Sequence, residues 1–319
     1  FESDFQIEWF IYAQTLAYGI TALFSIALLR QKIGTLALKL KKTFSAAILR
    51  KSLPYALLIF LMMMYNRVDA VMLERLCEDG DVQAGIYAQG FRFLDAVNMF
   101  ALLFAGLLLP IFSRLLKQKG DVSEMLNLSF KILGALSILT AVICFNFKDE
   151  LMLLRYPTSG EASANSFGFL ILSSIPVAIT YVFGTLLTAN GSMRQLNIMA
   201  VCGLFLNVIL NLFFISTLKA EGAAIATLIT QVVTALIQLI LVYKILKLKF
   251  EVRIYVQLIS LTIVMLAALF FYKHANLEMA VLIEAAGFFA FGLGLSLLFG
   301  LFRISDLKGL LASKASQQD

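Results

Sequence analysis

Charge is what this sequence has least of. Asp, Glu, Lys and Arg make up 14% of its 319 residues, against about a quarter in soluble domains. Hydrophobic residues reach 61%, so a soluble fold would lack the polar surface to cover itself. Histidine occurs once, at His274, which leaves a His-based metal or catalytic centre without partners. The three cysteines, Cys77, Cys144 and Cys202, are odd in number and widely spaced, with no C-x-x-C pair. That excludes a disulfide framework and a thiolate metal site. No pattern calls for a cofactor or a metal. The net charge of +6 does not point to nucleic acid, because the basic residues occupy separate loops and form no patch.

What the sequence has in abundance is long apolar runs. A span of the hydrocarbon core needs about 20 mostly apolar residues. By that template the chain is an all-α polytopic membrane protein with about nine transmembrane helices, near 9–29, 52–75, 84–112, 125–147, 166–189, 195–215, 222–243, 254–272 and 279–302. Loop charge tests the count. The connector after the first span carries Arg30, Lys32, Lys39, Lys41, Lys42, Arg50 and Lys51 with no acid among them. The next loop holds Glu78, Asp79 and Asp81, and the one after is basic again with Arg114, Lys117 and Lys119. Later come Lys244, Lys247, Lys249 and Arg253, then Arg303, Lys308 and Lys314 in the tail. Placing alternate loops in the cytoplasm puts most of the 26 basic residues inside, as the positive-inside rule requires.

This alternation predicts an external start, a cytoplasmic C-terminus and an odd number of spans. The chain opens on Phe1, and Glu2–Ser3–Asp4 is no signal peptide; together these predict that an odd number of helices precedes it. The basic connector is long enough to carry an amphipathic stretch (Leu36, Leu38, Leu40, Phe44, Ile48, Leu49) on the inner leaflet. Ser313–Asp319 reads as a polar tail.

Charges inside spans are costly unless paired or wet, so they mark candidate functional positions. The second span reads Tyr65-Asn66-Arg67-Val68-Asp69, and the third reads Tyr87-Ala88-Gln89-Gly90-Phe91-Arg92-Phe93-Leu94-Asp95, then Asn98. The two helices are antiparallel neighbours through a tight loop, so Arg67, Asp69, Arg92 and Asp95 lie at similar depth. Asp69–Arg92 and Arg67–Asp95 are the expected ion pairs. Two roles are open to them: structural pairs locking a hairpin, or a polar cavity in which arginines meet an anionic substrate and a carboxylate takes part in ion coupling. Candidate cavity residues are then Arg67, Arg92, Asn66, Gln89 and Asn98, with Asp69 and Asp95 as pairing or coupling groups. A second polar line, Thr227, Gln231, Thr234 and Gln238, follows one face of the seventh span, and Asn207 and Asn211 form a similar pair on the sixth. These are cavity-wall candidates, with interhelical hydrogen bonding as the alternative. Gly222–Ala226 admits close helix approach, and Pro176, deep in the fifth span, is a candidate kink.

Three stretches carry a resemblance. Leu53-Pro54-Tyr55 leads into Tyr65–Leu73 and Ala84-Gly85-Ile86-Tyr87-Ala88. Leu109-Pro110-Ile111-Phe112-Ser113-Arg114 is the second. Asn190-Gly191, Asn207–Asn211 and Glu221–Thr227 make the third. In this order they resemble the polysaccharide and oligosaccharide flippases, O-antigen flippases among them, of the multidrug/oligosaccharidyl-lipid/polysaccharide exporter superfamily.

The resemblance implies a two-lobe, alternating-access transporter. Residues 1–29 would be the last helix of the N-terminal lobe, 30–51 a basic cytoplasmic linker and 52–249 a six-helix C-terminal lobe. Residues 250–302 would be an extra helix pair and 303–319 a cytoplasmic tail. The implied substrate is a polyprenyl-diphosphate-linked glycan moved across a bacterial cytoplasmic membrane for surface polysaccharide or lipopolysaccharide biosynthesis. Membrane lipid and a polysaccharide polymerase are the implied partners, and nucleic acid is not one. Arg67 and Arg92 suit a diphosphate. The alternatives are a cation-coupled multidrug exporter of the same superfamily, which the in-membrane arginines disfavour, and a membrane-embedded glycan polymerase or transferase. An enzyme would need loop carboxylates or His, and the 148–165 loop offers only Asp149, Glu150 and Glu161.

Overall fold

The computed structural model describes residues 7–33, 42–248, 251–274 and 280–301. Leu36, Leu38 and Leu40 of the expected amphipathic stretch, and the whole tail, lie outside the described residues, while Phe44, Ile48 and Leu49 fall in the opening turns of a helix that starts at Lys42. Among those residues the structure is helical: α1 (Ile7–Ile33), α2 (Lys42–Leu76), α3 (Gly80–Lys117), α4 (Ser123–Asn146), α5 (Lys148–Arg155), α6 (Glu161–Leu172), α7 (Ser174–Ala189), α8 (Met193–Leu246), α9 (Val252–His274) and α10 (Val281–Leu298). The chain divides into two compact units, Phe1–Ser52 and Leu53–Asp319. The first holds α1, whose 27 residues are enough to cross a bilayer, and the opening turns of α2.

The second unit is built from hairpins. A straight helix of α8's 54 residues would run about 80 Å, more than twice the bilayer core. It does not run straight, because Lys219 adopts φ 52° and ψ −127°, a conformation that glycine tolerates and other residues resist. The chain folds back there, and each half becomes a span. Gly222 makes the turn possible, since a Cβ on it would overlap the Phe214 carbonyl. Further along, the halves approach closely enough that a Cβ on Gly203 would sit 2.9 Å from Thr234 Cγ2. The α2–α3 turn follows the same logic, with Gly80 lying against the Glu74 carbonyl.

With α8 counted as a hairpin, nine helical stretches among the described residues are long and apolar enough to cross a membrane. The fifth of them is broken. α6 and α7 form one 29-residue run, Glu161–Ala189, that pauses at Ser173. Pro176 lacks the N–H that would bond back to Leu172. The Ser173 and Ser174 hydroxyls turn instead to the Leu170 and Ile171 carbonyls, each at 2.6 Å. The kink expected at Pro176 thus falls three residues before it.

The core lies between α3, α4, α7 and α8 and is filled by Phe112, Leu126, Leu139, Phe183 and Leu186. α9 packs on α4 through residues that include Leu258, and α10 lies against α4 where Gly292 approaches Leu139. Outward faces stay apolar. On α9, Val256, Ile259, Ile263, Leu266 and Phe270 recur every three or four residues and are exposed, as lipid-facing positions should be. The 148–165 segment, read as a loop from sequence, contains the short helix α5 anchored by the buried Met152.

Candidate functional site

The two hairpin turns meet. Asp79, in the α2–α3 turn, accepts from Lys219 Nζ at 2.9 Å and from Gln83 Nε2 at 2.8 Å. Gln83 in turn accepts from the Ala220 backbone N–H at 3.3 Å. The Asp79 carboxyl is exposed, and its Gln83 hydrogen bond and then Lys219 hold it below the usual carboxylate range.

Beneath this latch the four helical strands of the two hairpins carry matching residues. Asp69 and Tyr87 lie nine residues either side of position 78, and Asn211 and Thr227 eight either side of Lys219. Each is therefore about 12–14 Å from its turn, and the four meet. Tyr87 Oη donates to Asp69 Oδ2 at 2.7 Å and Thr227 Oγ1 donates to the same oxygen at 2.6 Å. Asn211 Nδ2 donates to Asp69 Oδ1 at 2.5 Å and to Asn207 Oδ1 at 3.0 Å. Asp69 is 1% exposed, and among the described residues no cation lies within ion-pair distance of it. Asn207 Nδ2 and Asn211 Oδ1 are buried without hydrogen-bond partners.

The Asp69–Arg92 and Arg67–Asp95 ion pairs expected from sequence are not formed. Helix phase explains the first. Leu61, Asp69 and Leu73 share the buried face of α2, and Arg67, two residues from Asp69, points about 200° away. Tyr87, Gly90 and Leu94 share the buried face of α3, while Arg92 and Asp95 are exposed. Arg67, Arg92 and Asp95 therefore occupy the opposite, open face of the hairpin. Arg67 and Asp95 lie beyond salt-bridge distance of each other.

Farther from the turns lies a cavity of about 420 Å³ between α2, α3, α7 and both halves of α8. Asn66, Asn98, Gln231, Thr234 and Gln238 line it, as do Tyr65, Thr180, Tyr181, Thr185 and Thr188. Among the described residues, no charged side chain does. Tyr65 joins the two features, because its ring lines the cavity and its hydroxyl reaches the Thr227 carbonyl at 3.5 Å.

The polar line on α8 thus splits, Thr227 entering the Asp69 cluster and Gln231, Thr234 and Gln238 facing the cavity. Asn207 and Asn211 belong to the cluster, and Gln89 lines neither feature. Sequence reasoning missed Tyr87 as a partner of Asp69, the α7 threonines and Lys219. The recurrence Leu61, Tyr65, Asp69, Leu73 at intervals of four was the available signal that Asp69 faces inward.

Residues 4–116 match the family described as "Polysaccharide biosynthesis protein". The fold is that of a transporter from Pyrococcus furiosus whose structure is assigned to the MOP superfamily, with a TM-score of 0.51, 21% identity, and coverage of 80% of this chain and 62% of that one. The chain shares its fold with transporters of that superfamily. It is also similar to the lipid II flippase MurJ in an inward closed conformation, with a TM-score of 0.58, 16% identity, and coverage of 89% of this chain and 59% of that one. Over 208 residues it is 24% identical to an uncharacterized membrane protein of Methanocaldococcus jannaschii, covering 64% of this chain and 48% of that relative. The chain thus spans about half the length of that relative.

Proposed function

We propose that this chain is part of a flippase that moves a lipid-diphosphate-linked oligosaccharide across the cytoplasmic membrane for surface polysaccharide synthesis. Residues 52–249 act in this reading as one six-helix lobe, 250–302 as an added helix pair, and the C-terminus is cytoplasmic. The observation that carries it is the open face of the α2–α3 hairpin. Arg67 and Arg92 are exposed there, about 11 and 14 residues from the turn and so roughly 16–21 Å deep. A guanidinium at that depth cannot rest against hydrocarbon. It must face water or an anion, and its planar fork suits a diphosphate. The family described as a polysaccharide biosynthesis protein and the likeness to a lipid II flippase support the same substrate class. The arginines weigh against export of cationic drugs.

Asp69 serves in this account as the coupling group. It is a carboxylate held by two hydroxyls and an amide, with free amide atoms beside it. Loading by a proton or a monovalent cation changes which of these bonds hold, and both hairpins contribute partners, so the change bears on how they pack.

Arginine replacement in the full-length transporter tests the reading. Arg92→Ala should abolish transfer of an undecaprenyl-diphosphate-linked glycan in reconstituted vesicles while protein level stays near normal, and Arg92→Lys should retain part of it. Normal transfer by Arg92→Ala overturns the assignment.

A further inference from the structure

The cavity has a chemistry unlike that of the arginine face. Its lining mixes aliphatic side chains such as Leu58, Leu102 and Leu196 with hydroxyls and amides, and among the described residues it includes no Asp, Glu, Lys, Arg or His. An anion inside it would be desolvated without a counter-charge, and so would a cation. Asp69 offers no remedy, since it is not part of the lining and its oxygens are already bonded. A purely apolar occupant fits no better. Thr180 Oγ1 and Gln238 Oε1, on two walls of the cavity, are buried with no hydrogen-bond partner. Gln238 is 3% exposed, and its amide packs on Gly184, where a Cβ would stand 3.1 Å from Oε1. Burial without partners is unfavourable, and small side-chain rotations would turn both groups toward an occupant. The volume lies within the range of small-molecule sites.

We propose that this cavity binds an uncharged, hydroxyl-bearing group on an apolar stem, the chemistry of a neutral glycan segment. The inference rests on the flippase reading for the source of that glycan, whose diphosphate meets the arginine face while a sugar enters the lobe. The binding chemistry stands on the cavity alone.

Photolabelling of the full-length protein in lipid nanodiscs tests it, with photoreactive octyl glucoside as probe and octyl phosphate and octanol analogues as matched-stem controls. The glucoside should label the peptide containing Thr180–Thr188 several-fold above both controls, and excess free glucose should reduce that labelling. Thr180→Val should weaken glucoside binding by roughly threefold to tenfold, the effect of one hydrogen bond, with thermal stability unchanged or raised because a partnerless hydroxyl is replaced by a methyl. Gly184→Ala, which displaces the Gln238 amide, should weaken it as well. Equal labelling by glucoside and phosphate overturns the proposal, as does wild-type binding by Thr180→Val. Glucose failing to compete while the glucoside labels also overturns it, since recognition would then be of the stem. Arg92→Ala separates the two readings, because it should lose transfer yet keep cavity labelling. Labelling as expected with no transfer even by the wild-type protein would refute the flippase and leave the cavity site standing.

Discussion

Asp69 and Arg67 are two residues apart on one helix and live in different worlds. Asp69 is sealed in a layer of hydroxyls and amides contributed by three neighbouring helical segments, whereas Arg67 stands open on the other side of α2. α3 repeats the contrast with Tyr87 inside and Arg92 outside. A membrane hairpin can thus carry a buried polar network and a charged outer face at nearly the same depth. The 100° step per residue separates them. The difference teaches that intramembrane charge has two solutions here: multiple neutral hydrogen bonds within the protein, or access to water and anions outside it.

Breaking the framework that positions both faces should have the largest effect. Gly222→Val forces a Cβ into the Phe214 carbonyl and should prevent α8 from folding back, leaving no folded protein by size-exclusion analysis. Next is the buried side. Asp69→Ala strands the Tyr87, Thr227 and Asn211 donors, a loss on the order of 3 kcal/mol that a thermal melt will register together with loss of transfer. Asp69→Asn keeps the shape, so it should melt near wild type and still fail to transfer if the carboxylate couples. The outer side behaves in reverse: Arg92→Ala should leave the melting temperature unchanged while abolishing transfer. An equal stability loss at both positions would erase the comparison.

The smallest effect belongs to the latch. The folded-state pKa of Asp79 is depressed, first by Gln83 and then by Lys219. Its contribution is therefore present above the ordinary carboxylate range and lost as pH falls through the lowered value. Melting temperature should drop slightly over that acidic window in the wild type, and Asp79→Asn should remove that part of the pH dependence. Because the pair is exposed, high salt should weaken it.

Much of this was legible in the sequence. Span number followed from hydropathy and loop charge, because lipid demands long apolar helices. The polar line on α8 was visible as a four-three-four spacing. The partners of Asp69 were not, because opposite charges at equal depth suggested ion pairs and depth alone says nothing of helix phase. Hydrophobic periodicity is faint where lipid-facing and buried residues are both apolar, so Leu61 and Leu73 look no different from the exposed Leu57 and Leu76. The α7 threonines were missed because a few hydroxyls scarcely alter an apolar run, and the Lys219 latch depends on two turns that only the fold brings together.

Thiol labelling in the full-length transporter tests the two-faced hairpin most directly. Single cysteines placed by Arg92→Cys and Thr227→Cys, in a protein whose own cysteines are replaced, are exposed to a charged, membrane-impermeant methanethiosulfonate under turnover conditions. The account predicts rapid labelling at position 92 and protection at position 227. Protection at 92 with labelling at 227 would contradict it.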